Sequence, residues 1–318
     1  MGYDVYIELN KKSDKNNVIV ILEMLNYKKI KKDYYYFIND EDYKSLYGNS
    51  CEFYTDKDKL CMHLRTPIWA SNYDLYYMNE TVKTIKKFIN IRFETDEGKN
   101  KYFRYDRIIV KGEAGVYKVF FDIENDFERM KLYTQIMKDS NVIKNNKDLK
   151  KIHYEIDYIE SLFSTMGLPY LCSVIENYFR NIFIVLFKYS ENKEKVLKNI
   201  KSNLYDIEKV CEKEISMEEA VARTMSFQNI GKIINNFLLI DSNLDIKSCL
   251  WKPYKRRKES LYETLNRVLE QRHSFIHSKF VAYKYELENF EKDIELVEEA
   301  LRRVYKCIVQ YYKWEDFL

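Results

Sequence analysis

Apolar and polar positions follow two different periods in the two halves of the chain. Over residues 4–9, Asp-Val-Tyr-Ile-Glu-Leu, apolar side chains recur at every second position, the period of a strand with one covered face. Comparable stretches at 34–38, 51–54, 60–64, 91–94, 101–104, 107–110 and 116–121 predict an antiparallel set, with Gly112 and Gly115 at a turn. Helical spacing through Val18, Ile21, Leu22 and Leu25 predicts a helix over 17–29, and further helices are expected over 77–90 and 125–138. Residues 1–140 therefore read as an α+β domain.

A boundary is expected at 140–151, where Asn and Lys crowd together without apolar periodicity. From 148 to 318 the pattern is helical throughout, with helices expected over 148–165, 169–190, 193–212, 217–238, 261–277 and 284–312. Ser216 with Glu219 and Ser260 with Glu263 fit the capping box, in which hydroxyl and carboxylate each satisfy an exposed backbone donor of the other residue. The final helix has the strictest pattern. Leu287, Phe290, Ile294, Val297, Leu301, Val304, Ile308 and Tyr311 alternate three and four apart, as in a helix packed within its own bundle or, more sharply, an intermolecular coiled coil. The fold class is an α+β domain followed by an all-α bundle.

Composition excludes more than it suggests. With 53 basic and 50 acidic residues the net charge is only +3, so any nucleic-acid contact must come from local patches. The six cysteines, at 51, 61, 172, 211, 249 and 307, form no CxxC pair, which points to reduced thiols rather than a zinc site or disulfide framework. No apolar leader fits the start, and no stretch approaches 18 uncharged apolar residues, so the expectation is a cytoplasmic protein without a membrane span. The 29 tyrosines accompany abundant Lys, Asn and Ile, a bias that needs no functional cause. In the N-terminal half, His63 reads as a packed strand residue. Arg65, Thr66, Ser71, Asn72 and Asp74 read as a solvated polar loop.

Chemistry is concentrated in Glu270-Gln271-Arg272-His273-Ser274-Phe275-Ile276-His277-Ser278. Here an always-charged guanidinium able to clamp phosphate stands beside two imidazoles able to move protons near neutral pH. Arg272 and His277 are five residues apart, which on a continuous helix separates them by about 140° and roughly 7.5 Å along the axis. They converge on one atom only if the helix ends there or a second chain supplies partners. Upstream lies Trp251-Lys252-Pro253-Tyr254-Lys255-Arg256-Arg257-Lys258, cations interleaved with aromatics, a combination suited to single-stranded RNA. A solvated charge run is the plainer account of it.

Arg272, a polar residue, three more residues and His277 form a pattern that resembles the signature of the HEPN superfamily of helical ribonucleases. Two further pieces are similar in the same order: Glu176 with Arg180 four residues on, in the segment 168–183, and the helix start Ser226-Phe227-Gln228-Asn229-Ile230. The resemblance covers residues 148–318. It implies a metal-independent endoribonuclease without cofactor, working at the cleft of a homodimer and leaving 2′,3′-cyclic phosphate ends. In that scheme His277 moves the proton, Arg272 stabilises the phosphorane-like charge, and His273 is a second catalytic or positioning group. Glu176 orients the motif, and Arg180, Lys252, Lys255, Arg256 and Arg257 contact RNA. The resemblance also implies a toxin or anti-phage (abortive infection) effector cutting tRNA, rRNA or mRNA, with residues 1–140 as sensor of an antitoxin or phage-derived trigger. Two alternatives stand beside it. One is a non-catalytic HEPN module for binding or dimerisation. The other is a metal site on His273 and His277, which share a helix face but lack the Glu of a His-Glu-x-x-His motif and an evident third ligand.

Overall fold

The computed structural model describes residues 2–9, 11–139, 156–198, 204–278 and 285–316, without the side chains of Lys12, 156–163 and 273–278. The chain divides into two compact units, Met1–Ala114 and Gly115–Leu318.

The N-terminal unit is a seven-stranded antiparallel sheet in the order β2-β3-β4-β5-β1-β6-β7. Its strands are β1 (Gly2–Leu9), β2 (Lys28–Lys31), β3 (Tyr34–Phe37), β4 (Asn49–Asp56), β5 (Lys59–Pro67), β6 (Arg92–Thr95) and β7 (Gly98–Lys99). Helices α1 (Lys12–Met24) and α2 (Asn72–Phe88) pack on the sheet and on each other. Val5, Ile7, Phe53, Met62, Leu64 and Phe93 form one core with Val18 and Leu22 of α1 and Leu75, Met78 and Val82 of α2. The alternate residues Tyr6, Glu8, Glu52, Tyr54, Arg92 and Glu94 are exposed, so the period of two marks one covered face. His63 belongs to the exposed-residue register, with Nε2 2.7 Å from Asp4 Oδ1 and its ring stacked on Tyr6. It is a largely covered strand residue, as expected, packed against Tyr6 and paired with Asp4 on the face away from the core.

The loop expected to be a solvated polar stretch is a buried knot. Asp74, fully buried near the start of α2, accepts hydrogen bonds from the backbone amides of Leu46 (3.0 Å), Tyr47 (3.2 Å) and Gly48 (3.2 Å) and from Ser71 N (3.0 Å). Ser71 caps α2 by accepting from Asp74 N. Gly48 has φ +66°, and a Cβ there would lie 2.0 Å from the carbonyl oxygen of Phe37, so only glycine fits. Buried Thr66 donates to the Gly48 carbonyl at 2.7 Å.

The expected strands at 101–104 and 107–110 are absent, and 116–121 is helical. A single helix, α3, runs Gly112–Asp139. Val-Tyr-Lys-Val-Phe-Phe has strand-forming residues, but Val116, Val119, Phe120, Ile123, Phe127 and Met130 bury with the three-and-four spacing of a helix, and tertiary packing overrides propensity. The unit boundary consequently falls at 114/115 rather than at 140, and residues 140–155 lie outside the described residues.

The helical unit continues with α4 (Ile156–Tyr189), α5 (Lys193–Lys198), α6 (Leu204–Cys211), α7 (Met217–Arg223), α8 (Ile230–Ile240), α9 (Ile246–Trp251), α10 (Leu261–Ser278) and α11 (Leu287–Tyr311). The break expected between 165 and 169 does not occur, because α4 runs through Pro169. Burial of Ser164, Thr165, Leu168, Leu171 and Cys172 on both sides of the proline holds the helix together despite the lost backbone donor. The helix expected over 217–238 is instead two, with Asn229 capping α8 by accepting from Lys232 N at 3.1 Å. Among the described helices of this unit, α9 lacks a counterpart in the predicted set.

Helix α4 is the centre of this unit and contacts α7, α8, α10 and α11. It is long and apolar enough to cross a membrane by length and composition, yet most of that window is buried, as in a core helix. Tyr178, Phe179, Phe183 and Phe187 are fully buried, and the Tyr178 hydroxyl donates to the Leu301 carbonyl on α11 at 3.1 Å. The apolar stripe of α11 is buried within its own bundle from Leu287 to Ile308. Helix α3 runs antiparallel to α11 along three ion pairs: Glu124–Arg302 (3.2 Å), Lys131–Glu298 (2.9 Å) and Lys138–Glu291 (2.6 Å).

Replacing Asp74 by Ala strands three inward-facing amides and lowers the stability of the N-terminal unit by about 4 kcal/mol. Hydrogen exchange of the β4 and β5 amides in mild denaturant measures this; unchanged protection there refutes the role given to Asp74.

Candidate functional site

The motif helix starts where its capping box places it. Ser260 N and Oγ donate to Glu263 Oε2 at 2.7 and 2.8 Å, and Glu263 N donates to Ser260 Oγ at 3.2 Å. At Ser216 only half the box forms: its hydroxyl accepts from Glu219 N at 3.0 Å, while the Glu219 carboxylate pairs with Arg223. Leu261, Leu265, Val268 and Leu269 turn one stripe of α10 into the core.

Two ion pairs then fix the helix on either side. Arg267 forks onto the Asp293 carboxylate of α11 at 2.7 and 3.0 Å and reaches Glu259 at 2.9 Å. The Tyr285 hydroxyl also donates to Asp293 at 2.7 Å. Hydrogen bonding to Asp293 raises the guanidinium pKa of Arg267, and burial together with the Asp293 charge raises that of the Tyr285 phenol. Five residues on, Arg272 Nη1 donates to Glu176 Oε1 of α4, with the two side chains 13% and 14% exposed. The 140° turn between positions 267 and 272 is what sends one arginine to α11 and the other to α4.

The structure thus joins Glu176 and Arg272, expected from separate motif segments. The plainer account of Glu176 and Arg180, an ion pair along one helix, is not what is seen, because Glu176 pairs across to α10. Arg180 Nε, Arg272 Nε and Gln271 Oε1 are buried without hydrogen-bond partners among the described residues. Cys172, one turn before Glu176, donates to the Val268 carbonyl, and burial pushes its thiol up to about 12, so it is an inert neighbour. The helical backbone is continuous through positions 273 and 277, keeping 272 and 277 about 140° apart on one helix. The side chains of His273 and His277 lie outside the described residues. Among the described residues no group of three His, Cys, Asp or Glu is arranged to hold a metal ion.

The basic run lies at the opposite end of α10. Arg272 is eleven residues beyond Leu261, about 16 Å along the axis, so Lys252, Lys255, Arg256 and Arg257 are a separate cluster. Lys252 caps the C-terminus of α9, Lys255 Nζ sits 5.0 Å from the Tyr254 ring, and Arg257 reaches Glu259 at 3.4 Å, while Arg256 is exposed. Sequence reasoning missed Arg303, whose Nη1 donates to the Lys252 carbonyl at 2.7 Å and whose guanidinium lies 5.4 Å over the same Tyr254 ring. Its place on the polar side of the α11 pattern gave no signal. Trp251, also half exposed, stacks on Tyr262 of α10.

Comparisons of the chain with family models, curated proteins and solved structures find no match.

Because Glu176 and Arg272 are largely buried and face each other, Glu176→Ala costs about 3 kcal/mol. Glu176→Met combined with Arg272→Met costs clearly less than the sum of the two single changes. A double-mutant cycle in chemical denaturation measures the coupling; additive costs show that the pair does not interact.

Proposed function

We propose that this chain is a metal-independent endoribonuclease of the HEPN type, acting in the cytoplasm as a toxin or anti-phage effector. The observation that supports this most is the Glu176–Arg272 pair, which brings together two segments singled out separately by the resemblance. Cleavage of RNA without metal needs a base for the 2′-hydroxyl, a cation beside the phosphorane-like transition state, and an acid for the leaving 5′ oxygen. In this reading His277 carries the proton transfer and Arg272 the charge stabilisation. His273 positions the RNA or shares the proton transfer, and Glu176 orients the guanidinium. Arg180 and the cluster Lys252, Lys255, Arg256 and Arg257 hold the RNA backbone.

The continuous α10 gives this proposal its assembly. Positions 272 and 277 of one helix diverge, so a composite site takes Arg272 and His277 from two motif helices of a homodimer. The N-terminal unit is then the sensor of an antitoxin or a phage-derived trigger, restraining the nuclease until engaged.

A second reading, a non-catalytic HEPN module for binding or dimerisation, is favoured by a specific feature. Arg272 is only 13% exposed and already paired, as a purely structural arginine is. For catalysis the guanidinium must offer its remaining donors, Nε among them, to a phosphate oxygen while Glu176 holds Nη1.

Cleavage assays with EDTA separate the readings. The wild type yields 2′,3′-cyclic phosphate ends, and His277→Ala lowers the rate by about a hundred- to ten-thousand-fold. Equal cutting by both proteins rejects His277 as the catalytic group. In cells, removing residues 1–111 while keeping α3 raises toxicity; unchanged toxicity argues against a restraining sensor.

A further inference from the structure

Helix α9 packs side by side with α11. Cys307, on α11, has its Sγ 3.8 Å from the carbonyl oxygen of Asp245, the residue that caps α9, and Cys249 stands one turn further along that short helix. The Cys249 side chain tilts back along the helix towards that same Asp245 carbonyl, which places the two thiols side by side between the helices, and both residues are partly exposed. Of the other four cysteines, Cys51 and Cys172 are buried, Cys61 is partly exposed on β5 and Cys211 is exposed on α6. Four residues before Cys307, Arg303 holds the Lys252 carbonyl, and Lys252 is three residues beyond Cys249. The thiol pair and this hydrogen bond are therefore adjacent rungs between the same two helices, at the root of the basic loop.

We propose that Cys249 and Cys307 form a reversible disulfide under peroxide, a redox latch that ties α9 to α11 and stiffens the basic loop that follows. Hydrogen peroxide oxidises the Cys249 thiolate to a sulfenic acid and releases one water. The Cys307 thiolate attacks that sulfur, the S–S bond forms, and the sulfenic oxygen leaves with a proton as a second water. Two thiols and one peroxide give one disulfide and two waters, and a cellular dithiol returns the pair to the reduced state. The latch is independent of the ribonuclease reading, because it requires only the two helices and their thiols.

Burial and the neighbouring Cys249 push the Cys307 thiol up, while Lys252 acts in the opposite direction. The resolving thiol is thus mostly protonated near neutrality, and the second step accelerates as pH rises.

The test treats the reduced full-length chain with hydrogen peroxide, alkylates the remaining thiols, and maps peptides without reduction. The expected product is a Cys249–Cys307 linked peptide that dithiothreitol releases. It forms at least about tenfold faster than any link involving Cys211, and faster at about pH 9 than at about pH 7. Cys249→Ser and Cys307→Ser, near-isosteric changes at partly exposed positions, each abolish the link. Amide exchange over residues 252–258 slows on oxidation of the wild type and stays unchanged in either serine variant. Recovery of Cys249 and Cys307 as separately alkylated or over-oxidised peptides, or a link no faster than those through Cys211, overturns the proposal.

Discussion

The helical unit depends on how α10 is held. Arg267 and Arg272 leave the same helix on different sides, one bound to Asp293 of α11 and the other to Glu176 of α4. Buried charges contribute little net stability when paired, but either partner alone is costly, so the two pairs act mainly to exclude other rotations and registers of α10. A rotation of one residue step, about 100°, would strip both arginines of their acids at once. The apolar stripe of Leu261, Leu265, Val268 and Leu269 supplies the burial, and the arginines set the angle.

The N-terminal unit uses the same economy in a different form. One carboxylate, Asp74, gathers the amides of Leu46, Tyr47 and Gly48, turning an irregular segment beside the sheet into fixed structure. Irregular backbone can be buried only when its donors are satisfied, and here one side chain near a helix start satisfies three. Both units thus rely on a charge placed inside and held by a specific partner.

Much of this was legible in the sequence, for identifiable reasons. The alternation of Val5, Ile7 and Leu9 and the stripe of α11 survive because each element has one covered side. The Ser260–Glu263 cap set the start of α10 because the signal is local. What failed was non-local. Val116 to Phe121 has strand-like residues, and only burial against the rest of the helical unit, with Phe120 packed on Tyr305, makes it helix. Pro169 marked a break that packing on both sides removed. Of the candidate site, the chain's order exposed Arg272 and Glu176 as interesting, but their contact spans 96 positions and has no signature in either segment. The roles of Arg303, Cys249 and Cys307 are legible only once α9, itself unforeseen, lies beside α11.

The long separation between partners also has a cost in time. During synthesis α4 emerges with Glu176, Tyr178 and Phe179 before the residues that will cover them exist, and Arg272 follows 96 residues later. At roughly 5–20 residues per second that interval is on the order of 5 to 20 s. For that period the ribosome presents a nascent helix that is apolar over a membrane-spanning length and carries an unpaired carboxylate. Transiently exposed apolar surface of this kind favours aggregation, and the carboxylate is a mark against its diversion into a bilayer.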